Sequence, residues 1–190
     1  MKKMWFVFAA ATLLSGCAFN AENVNLHPTI SSPHTSEGQG VSVAVHVVDD
    51  RASKSLGHRG TAYGAAAEIT TNADVAAIVS DKVAQALAAR GFTVNGPDRE
   101  NSAKLTVEVR LLDYSTSTGF WTGGVQVQAA LKAVASKSGK NFEQMYRSNN
   151  EHRVVVVPPA DTNEEWINET LGDVITKLVS DDKLIEFLAG

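Results

Sequence analysis

Hydrophobic and polar positions alternate from Val41 onward, with Val41, Val43, Val45 and Val47 on one side and Ser42, Ala44, His46 and Val48 on the other. A two-residue period in β-branched side chains predicts a strand, and its small or mildly apolar second face predicts a central one. Asp49-Asp50-Arg51 breaks the pattern. No period survives from Ala52 to Thr71, where Gly57, Gly60 and Gly64 punctuate a long connection of the functional or mobile kind. The spacing then changes to three and four in Val75, Ile78, Val79, Val83, Ala86 and Leu87, with Asn72 as the cap and Gly91 at the stopping position after Arg90. That is an amphipathic helix.

Phe92-Thr93-Val94 predicts a short strand, and Leu105, Val107, Val109 and Leu111 alternate with Thr106, Glu108 and Arg110 in a longer one. A Ser/Thr/Gly loop from Ser115 to Gly124 carries Phe120 and Trp121, after which Val125, Val127, Ala129, Leu131 and Ala133 alternate again. The pair predicts a hairpin with an aromatic tip. Ser136 to Lys140 supplies the next turn. Asn141 to Val157 then forms one long strand, or two joined by a bulge near Asn149-Asn150, ended by Pro158-Pro159. Glu164 to Ser180, capped by Asn163, places Trp166, Ile167, Leu171, Val174, Ile175 and Leu178 on one helical face, and Lys183 to Leu188 forms a short terminal helix. Strands grouped between two amphipathic helices predict an α+β fold. The expected sheet has four to five strands and is mostly antiparallel, with room for a parallel pair, and both helices pack on one face.

The start of the chain follows no such period. Lys2 and Lys3 precede an uncharged apolar stretch from Met4 to Leu14, and Leu14-Ser15-Gly16 leads into Cys17, the single cysteine. A hydrocarbon core takes roughly 20 apolar residues to span, so this run reads as a processed export leader. The four residues resemble the bacterial lipobox. That resemblance implies cleavage before Cys17, a diacylglyceryl thioether on its sulfur and a third acyl chain on its new amino group. Three chains anchor firmly, since each buried methylene contributes about 0.8 kcal/mol and two chains already suffice. Ala18 stands where an aspartate would favour inner-membrane retention, which implies the periplasmic face of the outer membrane of a Gram-negative cell.

Residues 18–40 are rich in Asn, Ser, Thr, Pro, Gly and His. They predict a flexible tether that holds the domain well away from the bilayer. The expected organisation is a leader over 1–16, a lipidated N-terminus and tether over 17–40, and a single domain over 41–190. Of 190 residues, removal of 16 leaves 174, enough for one ordinary domain, with 15 basic residues (17 less Lys2 and Lys3) against 21 acidic ones and a net charge of −6. An acidic chain is a poor partner for nucleic acid. With Cys17 acylated no thiol is left for a disulfide or a cysteine metal site.

Candidate chemistry is sparse. There is no Gly-x-Ser-x-Gly elbow, and His27, His34, His46, His58 and His152 lie at no metal-ligand spacing. Asp49 and Asp50 beside Arg51 and His58 are the best catalytic candidates, weighed against a loop-closing salt bridge with a solvated histidine. The sequence predicts no enzyme, no metal and no cofactor. Phe120 and Trp121 at the hairpin tip, joined by Tyr63 and Arg51, are the candidate interaction surface, because exposed aromatics favour protein interfaces.

The lipobox, the valine strand ending in Asp50-Arg51, the helix stop Ala89-Arg90-Gly91-Phe92-Thr93-Val94, the strand from Leu105 to Leu112, the Tyr146-Arg147 pair and the terminal Ile185-Glu186-Phe187 occur in one order. In that order they resemble the YajG family of bacterial lipoproteins. The resemblance implies an address and a fold, and it carries no activity over to particular residues. The expected function is a non-enzymatic, lipid-anchored adapter that binds an envelope protein or itself. The alternative is a small-molecule or glycan receptor with a groove lined by Tyr63, Trp121 and Arg51, which would show as a deep pocket instead of a flat patch.

Overall fold

The computed structural model describes residues 20–60, 67–95, 102–118 and 123–190. In chain order the elements are β1 Glu22–Asn23, β2 Ser42–Asp49, β3 Gly57–Arg59, β4 Ala67–Thr70, α1 Val75–Ala89, β5 Thr93–Val94, β6 Ala103–Thr118, β7 Gly123–Lys137, β8 Lys140–Val154, α2 Ala160–Val179 and α3 Asp182–Ala189. The long meander β6–β7–β8 is the frame. Its alternating apolar positions bury Leu105, Val107, Val109, Val127, Leu131 and Ala133 on one face, and a two-residue turn at Ser138-Gly139, both at positive φ, matches the right-handed twist of the flanking strands.

β6 is long enough to serve two neighbours on its far side. Its first half pairs in parallel with β2, from Val43 opposite Ala103 to Asp49 opposite Val109, and past a register shift between Val109 and Leu111 it meets β3 at Gly57 opposite Tyr114. β3 continues to β4 and β1, and β2 continues to β5. The sheet therefore has eight strands among the described residues and is mixed, where four to five mostly antiparallel strands were expected. β1, β3 and β4 have only two to four residues, too few to show a period. The irregularity also sits in β6, whereas β8 keeps continuous register past Asn149-Asn150.

The helices lie on one face, as their apolar stripes predict. α1 packs on β2 and α2 on β7 and β8, with Val79, Val83, Leu87, Leu171, Ile175 and Leu178 in one continuous core with the strands. α1 is capped by Asp74, whose Oδ1 accepts from Ala77 N–H at 3.0 Å, and not by Asn72. α2 starts earlier than expected, directly after Pro158-Pro159. Asn163 is accordingly buried inside its first turns and does not cap it. The opposite face of the sheet has no helix among the described residues, and Ala44, His46 and Val48 of β2 are exposed on it.

The largest departure concerns residues 20–40. This stretch is packed against the domain. Glu22, Val24, Leu26 and Pro28 are buried while Asn23, Asn25, His27 and Thr29 are exposed, so it does carry a period of two. It runs along α2 in an extended form: Asn25 N–H donates to Glu164 Oε2 at 2.9 Å, His27 N–H to Asn168 Oδ1 at 2.6 Å and Ser31 N–H to Thr176 Oγ1 at 3.1 Å. Side chains of a helix thus satisfy backbone groups that a strand would otherwise satisfy. Residues 20–40 therefore belong to the domain that was expected to start near Gly40, and the described residues form no slack tether there. Gly172 makes the approach possible, because a Cβ there would lie 2.2 Å from the carbonyl oxygen of Thr29. In an unencumbered helix Gly→Ala stabilises by about 1 kcal/mol. Gly172→Ala is expected to destabilise this protein instead, read by denaturant titration, and to expose the Val24 and His27 amides to hydrogen exchange.

Candidate functional site

Features of the sequence that are far apart converge where β8 ends and α2 begins. Val154 pairs with Gly123, the first described residue of β7, and the described pairing of β8 ends there. The next three residues, Val155, Val156 and Val157, are 84%, 76% and 43% exposed. Beside them lies an open hollow of about 580 Å³, lined by Ser115, Ser117, Gln126, Glu151, His152 and Arg153 among others. The His152 ring stacks on Trp166 with centroids 3.9 Å apart and planes 6° from parallel, which holds the half-buried indole against the sheet.

Under this end is a buried polar cluster. Asn163 is its centre: its Oδ1 accepts from the Tyr114 hydroxyl at 2.8 Å, and its Nδ2 donates to Glu22 Oε2 at 3.1 Å. Arg59 Nη1 stands 3.4 Å from the same carboxylate oxygen, and its Nη2 donates to the carbonyl of Asn20 at 3.0 Å. A buried carboxylate requires such partners, since desolvation penalises its charged form heavily. The same burial, together with the Glu22 charge and against the opposing effect of Arg59, pushes the Tyr114 phenol up to about 12. This network fixes the first described residues onto the N-terminal turn of α2.

The catalytic candidates occupy a different place and are engaged with each other. Arg51 is 8% exposed, with Nε 2.8 Å from Asp49 Oδ1 and Nη2 3.0 Å from Oδ2. Its guanidinium holds the Asp49 carboxyl well below the usual carboxylate range, helped by Lys54. Asp50 pairs with Arg110. The loop-closing salt bridge is therefore present, and Arg51, expected on the interaction surface, is buried and committed to Asp49. Its place on that surface is corrected on this ground. Cys17, Tyr63, Phe120 and Trp121 lie outside the described residues. No group of three or more His, Cys, Asp or Glu with metal-binding geometry occurs among the described residues, and no described helix is long and apolar enough to cross a membrane. Sequence reasoning missed the Glu22–Asn163–Tyr114 cluster and the exposed valines. The earliest signal for the first was Glu22 standing in phase with Val24 and Leu26, two and four residues before them.

The fold is a one-sided α+β domain, its helices layered on one face of a mixed sheet. A family model described as "Uncharacterized lipoprotein" matches residues 28–189, and the chain belongs to that family. It is 24% identical over 191 residues to the lipoprotein YajG of Escherichia coli K12, covering 98% of this chain and 96% of that one, which agrees with the YajG resemblance. Among solved structures, a Xanthomonas campestris protein is similar with a TM-score of 0.52 at 13% identity, covering 88% of this chain and 96% of that one. A second, an uncharacterised protein of known crystal structure, is similar with a TM-score of 0.50 at 9% identity, covering 84% of this chain and 97% of that one. These two likenesses concern the fold alone.

The Tyr114 network carries a pH signature. A phenol whose folded pKa is raised stabilises the fold by a constant amount below its ordinary value of about 10, and that contribution is lost as pH rises from there through about 12. Tyr114→Phe leaves Asn163 Oδ1 without its donor and is expected to cost about 1–3 kcal/mol at neutral pH. The gap between variant and parent, measured by urea titration, should narrow as the pH is raised across that window.

Proposed function

We propose that this protein is a lipid-anchored module on the periplasmic face of the outer membrane, held by acylated Cys17, that works through contact with an envelope protein or a second copy of itself and performs no catalysis. The observation that carries the reading is the face of the sheet that no described helix covers. All three helices take part in the core on the other side, so β2, β6, β7 and β8 present a broad surface to solvent. On it Val48 and Leu111 are 39% and 38% exposed, set among ion pairs between Arg110 and Asp50 and between Lys132 and Glu143, the latter at 2.7 Å. Apolar side chains ringed by charge suit a protein partner better than a small ligand. A second reading is favoured by the hollow near Arg153, whose hydroxyls, carboxylate and guanidinium would suit a sugar or another polar small molecule.

Two experiments decide among these. A photoreactive residue at Leu111 is expected to give a discrete protein adduct in living cells, whereas one at Lys183 on α3 is not. If Leu111 captures no protein and the native protein carries a small molecule by mass spectrometry, the receptor reading replaces the adapter. Separately, Cys17→Ala is expected to lose the lipid and leave the outer-membrane fraction. A variant that still fractionates wholly with outer membrane would show the anchor assignment to be wrong.

A further inference from the structure

The point at which the chain enters the domain decides which end faces lipid. This inference rests on the reading of Cys17 as the acylated residue, from which Ala18 and Phe19 lead to Asn20. Three residues reach at most about 10–11 Å when fully extended. Asn20 is fixed by the hydrogen bond from Arg59 to its carbonyl, and Glu22, two residues on, is buried in the Asn163 cluster. The headgroup layer beside a hydrocarbon core is about 5–8 Å deep. The Asn20 end of the domain is thus held against the bilayer surface.

The contacts of the packed segment show which end that is. They advance in one direction along α2, from Glu164 through Asn168 to Thr176 as the segment runs from Asn25 to Ser31. Asn20 therefore lies toward the N-terminus of α2, where β8 terminates and Val155, Val156 and Val157 stand exposed ahead of buried Pro158. Three consecutive β-branched apolar side chains in water are unfavourable, and they become favourable in the interfacial layer. The short leash places lipid within their reach.

We propose that Val155-Val156-Val157 is a membrane-contacting loop, seated on the bilayer that holds the acyl chains of Cys17, so that the domain stands on the membrane by its β8–α2 end. The opposite end, with the Ser138-Gly139 turn and the C-terminus of α3, then points away from the lipid.

The test uses the full-length lipidated protein in phosphatidylethanolamine–phosphatidylglycerol vesicles containing brominated acyl chains. An environment-sensitive fluorophore is attached through Val156→Cys in one sample and Ser138→Cys in another, and intact mass reads the acylation of Cys17 in each. Quenching several-fold stronger at position 156 than at position 138 is the expected result. Equal quenching at the two positions in acylated protein would overturn the lipid contact and leave the anchor standing. An intact mass showing bare Cys17 would remove the anchor, and the inference with it.

Discussion

A carboxylate taken out of water at the edge of the sheet, that of Glu22, sets the geometry of the N-terminal part of this molecule. It is tolerable only because the Asn163 amide donates to it and the Arg59 guanidinium stands beside it. Asn163 does this from inside α2, which begins at Ala160, and the Tyr114 hydroxyl, which donates to the Asn163 Oδ1, ties that turn to β6. One desolvated charge thereby couples three places remote in sequence: the segment around Glu22, the first turn of α2 and the second half of β6. Removing any one partner would leave the others buried and unsatisfied, which is the expensive outcome for polar groups in a core.

Around that clamp the architecture follows from the length of β6. A sixteen-residue strand exceeds what one neighbour of eight residues, β2, can cover, and the register shift after Val109 redirects its second half toward β3. Parallel pairing with β2 requires a crossover, which α1 supplies. The helices then fill one side only. Ion pairs such as Lys132–Glu143 and the carboxylate–guanidinium closure of Arg51 on Asp49 make the remaining polar surface largely self-satisfied, which is why charged residues there are poor evidence of chemistry.

Much of this was legible from periodicity. β2, β6, β7, β8 and all three helices appear where the apolar spacing places them, because each is long enough for a period to repeat. The short strands β1, β3 and β4 were not, since two to four residues carry no period and their order in the sheet depends on pairings made elsewhere. Residues 20–40 were misread for another reason: Val24, Leu26 and Pro28 do alternate with polar residues, but the partners that satisfy this segment, Glu164, Asn168 and Thr176, lie some 140 residues away. The valine run from Val154 to Val157 reads in sequence as continued strand, but the strand ends at Val154, shortly before Pro158-Pro159, neither of which can donate a ladder hydrogen bond. Asn163 looked like a cap for the same lack of context, its real partners being a tyrosine and a glutamate on other elements.

The order imposed on residues 20–40 also changes how far this protein can extend. A slack linker of twenty residues would let a domain sweep a hemisphere some 25 Å in mean radius, and its working distance would be set by polymer statistics. With the anchor at Cys17 and the seat on lipid proposed above, the spacer is the sheet itself, whose fifteen-residue β8 is about 50 Å long at the usual rise per residue. The proposed seat makes that height a rigid dimension, and a partner would then have to come within one strand-length of the lipid surface.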